Sequence, residues 1–72
     1  MIHKIKVMHI EATITYNKES NLVDIVFKNE NKERGFYNPN SFSKEDMVIL
    51  DKLIFKCHRW LLAQELQESV PL

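Results

Sequence analysis

The segment from Ser43 to Ser69 holds neither glycine nor proline, opens on helix-capping residues and carries apolar side chains on two sides. At about 100° per residue, Ile49, Leu50, Leu53, Ile54, Cys57, Trp60 and Leu61 share one broad arc, while Val48, Phe55, Leu62 and Leu66 gather almost opposite. A helix on the outside of a small domain has one stripe to bury. This one has two, so the rest of a 72-residue chain must cover both or leave one to another molecule.

The helix start is the sharpest local signal. Ser43 as N-cap with Asp46 three positions on forms a shortened capping box, Glu45 adds negative charge to the first turn, and Phe42 can staple onto Met47. Pro71 confirms the stop after about Glu68 or Ser69.

The first half of the chain reads as sheet, because apolar and polar residues alternate there among β-branched and aromatic types. With Asn17 to Ser20 as a four-residue loop, Tyr16 faces Asn21, Ile14 pairs with Val23, Ala12 with Ile25 and Ile10 with Phe27, all apolar but the first. Strand residues before Met8 then have no partner within this hairpin. The apolar phase also switches there, from Ile5 and Val7 to Met8, Ile10, Ala12 and Ile14, which suggests a bulge near Val7 and Met8. Residues 1–7 are thus an arm, which either folds back over its own core or offers Ile5 and Val7 to another chain along an open strand edge. A short third strand over Glu33 to Tyr37 would set Phe36 beside Ile25, although Gly35 weakens a strand interior. Asn38-Pro39-Asn40 then turns the chain toward the helix.

The expected architecture is therefore a single two-layer α+β domain: a possible arm (1–7), an antiparallel meander of two or three strands (8–37), a loop (38–42) and one long C-terminal helix (43–69). The helix lays its first stripe over Ile10, Ala12, Ile14, Val23, Ile25, Phe27 and Phe36. So short a chain buries only roughly 60% of its unfolded surface, and such domains gain stability from disulfides, metal or oligomerisation. The lone cysteine, Cys57, closes no intrachain disulfide and falls inside the first stripe, where a free thiol behaves as a small hydrophobe.

Chemistry-bearing motifs are lacking. His58 neighbours Cys57 in sequence but points about 100° away on a helix, so the two make no nucleophile and base. His3 and His9 lie about 20 Å apart on one extended strand at ~3.3 Å per residue, and no zinc-type spacing joins them to His58. Glu11, Asp24, Glu33, Asp46, Asp51 and Glu65 fall into no acid/base pair, and one glycine cannot build a phosphate loop. No catalysis, metal, cofactor or small-molecule substrate is expected.

Ten basic residues balance ten acidic ones, which removes a global field for nucleic acid or an acidic membrane. The alternating Met-Ile-His-Lys-Ile-Lys start lacks the apolar run of a signal peptide, and no stretch approaches the ~20 apolar residues of a membrane span, so a cytosolic protein is expected. Partners then follow from stripe two. Val48, Phe55 and Leu62 recur every seventh residue, Leu66 extends the line, and charges of both signs flank it: Asp51, His58 and Glu65 on one side, Lys52, Lys56 and Arg59 on the other. Such a seam suits a second copy of the chain and, failing that, a larger protein or cover from its own loops. The expected function is a small non-catalytic interaction module, an accessory, adaptor or inhibitor protein acting as a homodimer. The alternative is a regulator touching nucleic acid through the ridge Lys52, Lys56 and Arg59 together with Lys4 and Lys6 of the arm.

Overall fold

A computed structural model describes residues 1–31 and 38–69, the side chains of 66–69 excepted. Three strands, β1 (Ile2–Val7), β2 (Ile10–Asn17) and β3 (Leu22–Asn29), form an antiparallel meander in the order β1-β2-β3, and one helix, α1 (Met47–Ser69), packs on it. The two-layer α+β expectation is therefore correct. Among the described residues the third strand is β1, and the strand expected over Glu33 to Tyr37 lies outside them.

The arm folds back. Val7 pairs with Ile10 across a two-residue turn of Met8 and His9, and the ladder continues through Ile5 with Ala12 and His3 with Ile14. Met8 takes a positive φ of 54°, the backbone shape that tight hairpin turns require and that glycine or asparagine usually supplies. This turn also corrects the bulge inferred from the phase switch. A two-residue turn pairs odd positions with even ones, so apolar residues must change phase across it for both strands to face one core. Met1 extends the ladder by exchanging backbone hydrogen bonds with Tyr16.

In the second hairpin the pairing differs from expectation by two residues. Asn17 faces Leu22, Tyr16 faces Val23, Ile14 faces Ile25 and Ala12 faces Phe27. The loop is Lys18 to Asn21: the Asn17 side chain accepts from the N–H groups of Glu19 and Ser20 at 3.0 and 3.3 Å, and Asn21 takes a φ of 58°. Asparagine favours both roles. A slip of two preserves the face of every side chain, so the apolar face of the hairpin is the expected one.

The capping box forms reciprocally. Ser43 Oγ accepts from Asp46 N–H at 3.2 Å, and the Asp46 carboxylate accepts from Ser43 N–H at 2.9 Å. The first turn is a tight one with i to i+3 bonds at Asp46 and Met47, so the regular helix begins at Met47 rather than beside Ser43. Phe42 packs against the core, and Met47 is 49% exposed.

Ile10, Ala12 and Ile14 from β2 meet Ile49, Leu53 and Cys57 from α1 in the buried core, with Ile5, Val7, Phe27, Phe42, Leu50 and Trp60 around it. Two contacts fix the helix direction. His9 Nε2 lies 2.8 Å from Asp46 Oδ1 at the β1–β2 turn, and Trp60 stacks on His3 of β1 with ring centres 4.9 Å apart and planes 2° from parallel. α1 thus runs parallel to β2, over β1 and β2 only. The connection into it is pinned at Asn29, which is buried: its N–H donates to Pro39 O, its Nδ2 to Ser41 O, and its Oδ1 accepts from Asn31 N–H, each at 2.9 Å.

Candidate interaction surface

Stripe one splits on contact with the sheet. Ile49, Leu53 and Cys57 are buried, Leu50, Trp60 and Leu61 are half-buried, and Ile54 is exposed. The expected sheet partners divide likewise: Ile10, Ala12 and Ile14 are covered, Phe27 partly, while Val23 and Ile25 are exposed. Phe36 lies outside the described residues. Both corrections have one cause, the placement of α1 over β1 and β2, which leaves β3 beyond its edge.

Stripe two is open. Val48, Phe55 and Leu62 are 61%, 60% and 43% exposed on the side of α1 away from the sheet, and the Leu66 side chain is among those not described. No described segment of the chain covers these three. Asp51, Lys52, Phe55, Lys56 and Arg59 line an open depression, and the Arg59 guanidinium lies 5.7 Å from the Phe55 ring centre. A cation over an aromatic face is favourable, so Arg59 is held beside the seam rather than extended into solvent.

The other proposed site residues scatter. Ile5 and Val7 are half-buried against the core, so they are structural members of β1. Lys4 and Lys6 occupy the alternate positions of that strand and project from the sheet face opposite α1. They are thus separated from Lys52, Lys56 and Arg59 by the thickness of the sheet. Lys6 Nζ is 2.6 Å from Glu30 Oε2, a bond that raises the lysine pKa.

The titratable residues serve the fold. Asp46 is 3% exposed, and the Ser43 N–H bond, helped by His9, holds its carboxyl below the ordinary value. Burial pushes the Cys57 thiol up, which works against a reactive thiolate. Among the described residues no three His, Cys, Asp or Glu side chains are grouped closely enough to hold a metal ion, and no helix is long and apolar enough to cross a membrane.

Sequence reasoning missed one surface altogether. Leu22 and Val26 project from the outer face of β3, Val23 and Ile25 from its inner face, and all are exposed. The available signal was the count of strands against helices. One helix, about 10 Å across, covers about two strands at ~4.8 Å spacing, so a three-stranded meander under one helix must leave a strand bare. Comparison with protein-family models, with curated proteins and with solved structures returns no match.

Proposed function

We propose that the chain is a small non-catalytic interaction module that pairs with itself through stripe two and, as a homodimer, occupies a surface on a larger protein. The observation that carries this reading is the exposure of Val48, Phe55 and Leu62 in one line along α1. Contiguous apolar surface of this kind marks association sites. The line is also self-complementary. An antiparallel pair of helices centred on Phe55 sets Val48 opposite the partner's Leu62, so the apolar line meets its own copy along its length. The nucleic-acid alternative is the weaker reading, because Lys4 and Lys6 stand on the sheet face away from α1 and form no single surface with the helix ridge.

The test is solution mass by light scattering over a range of concentrations, with Phe55→Glu beside the parent chain. Phe55 is exposed, so the substitution leaves the core intact. A loss of association with an unchanged circular dichroism spectrum supports the seam. An unchanged mass removes it.

A further inference from the structure

Among the described residues β1 and β3 are the two edges of the sheet, and they are built differently. On β1, Lys4 and Lys6 flank the strand centre, and pairing its middle with a second copy sets lysine against lysine. Charged edges of this kind discourage strand addition. β3 reads Leu-Val-Asp-Ile-Val-Phe-Lys-Asn, and its charges are placed the other way. An antiparallel copy related by a two-fold axis at Val26 brings Asp24 opposite the partner's Lys28 at both ends of the pairing. Its registers centred on Asp24 or on Phe27 instead set acid against acid.

Hydrogen-bond parity permits that register. Glu30 N–H bonds His9 O across to the β2 side, whereas Asn29 N–H points outward to Pro39 O. Even-numbered residues of β3 therefore bond to β2, and Val23, Ile25 and Phe27 turn their N–H and C=O groups outward. Among the described residues nothing pairs with those three. With the axis at Val26, Ile25 exchanges backbone hydrogen bonds with the partner's Phe27 and Phe27 with the partner's Ile25. Val26 and the Asp24–Lys28 pairs fall on the non-hydrogen-bonded positions, where side chains come closest. Pro39 closes the edge at Asn29 and so limits the pairing to residues 24–28.

Side chains agree on both faces. On the inner face, the exposed Ile25 meets the partner's Phe27, which borders the core. On the outer face, Lys6, Glu11 and Lys28 already stand opposite one another across the three strands, and the partner's Asp24 continues the alternation of sign. Val26, 62% exposed, would be covered by its own copy.

We propose that β3 is a second self-association edge, which joins two three-stranded sheets into one of six strands through an antiparallel β3–β3 pair centred on Val26. This goes beyond the helix seam and, combined with it, specifies an assembly. The β3 axis lies along the sheet normal, while the axis of an antiparallel α1 pair lies parallel to the sheet, so the two are perpendicular. Val26 is level with Thr13. Phe55 lies between Asp46 and Trp60, which sit at the His9 and His3 levels, so the two axes pass at similar height. Perpendicular two-folds that meet close a tetramer, a dimer of dimers, rather than an open fibre.

Charge exchange tests the edge by light scattering. Asp24→Lys should halve the mass of the parent chain, Val26→Lys should do the same, and the double exchange Asp24→Lys with Lys28→Asp should restore it. All three positions are exposed, and circular dichroism checks that the fold is kept. An unchanged mass in Asp24→Lys, or no recovery in the double exchange, overturns the β3 pairing. Phe55→Glu separates the two contacts: if it leaves the mass alone while Asp24→Lys still halves it, the helix seam falls and the β3 edge stands.

Discussion

Asp46 joins the start of α1 to the β1–β2 turn, and Asp46→Ala tests whether that junction holds the two layers together. The substitution removes the acceptor of the Ser43 N–H bond at 2.9 Å and the partner of His9 Nε2 at 2.8 Å, in a residue only 3% exposed. Hydrogen bonds to a charged group contribute about 1.5–3 kcal/mol each. His9 is partly in solvent, so both are taken at the low end and the cost is about 3 kcal/mol. At roughly 0.05–0.15 kcal/mol per residue the whole chain has about 4–11 kcal/mol to lose, and the melting temperature should fall by about 12–24 °C. Because the folded-state pKa of Asp46 is lowered from 3.8, its ionised form adds stability in full above that value. The contribution is lost as pH falls through the depressed one. Urea unfolding at one fixed protein concentration, at neutral pH and again well below 3.8, measures both effects. Parent and variant should differ at neutral pH and converge in acid. A variant within about 0.5 kcal/mol of the parent at neutral pH, or a gap that persists unchanged in acid, would refute the reasoning.

Leu53 is fully buried at the centre of the core, and Leu53→Ala should cost about 3–4 kcal/mol in the same urea experiment. Ser43→Ala, which removes one half of the capping box, should cost about 1 kcal/mol. Asn29→Ala removes the side-chain bonds to Ser41 C=O and Asn31 N–H and should cost about 2 kcal/mol, with faster hydrogen exchange at Asn31 as its local signature. Cys57, 1% exposed and with its pKa raised by burial, should resist a thiol reagent in buffer and react fully in urea. Labelling of the folded chain at the rate of a free thiol would contradict its burial.

The chain shows which parts of such a fold can be read from residues alone. Side-chain faces were legible because burial imposes period two on a strand and about 3.6 on a helix: Ile10, Ala12 and Ile14 point inward as expected, and Ser43 with Asp46 caps the helix. Pairing was less legible. Asn17 fits the last strand position, where its side chain folds over the loop, as well as it fits the first loop position, and the two choices differ by a slip that keeps every face. The Met8-His9 turn was hidden because neither residue is a turn former. Its trace was the change of apolar phase between Val7 and Ile10, which a bulge and a two-residue hairpin explain equally until the partner strand is seen.

That hairpin also decides where the exposed surface lies. Once β1 folds back, the helix has three strands beneath it and width for about two, so its position must be selected. His3 and His9 make that selection, one stacking on Trp60 and the other bonding Asp46, and both belong to β1 or its turn. Clasped at these two points, α1 is drawn to the β1 side, and Val23 and Ile25, apolar and inward-facing, are left without a cover. Stripe two was visible in the sequence because it is a property of one element. The open edge of β3 was not, because it results from three strands, one helix and two clasps acting together. The same argument makes the clasps a control on association: weakening them with His3→Ala should let α1 shift, changing the Trp60 fluorescence and the exposure of Ile25 together. If Trp60 loses its stack while the side-chain methyl NMR signals of Ile25 stay as in the parent, the clasps do not set the position of the helix.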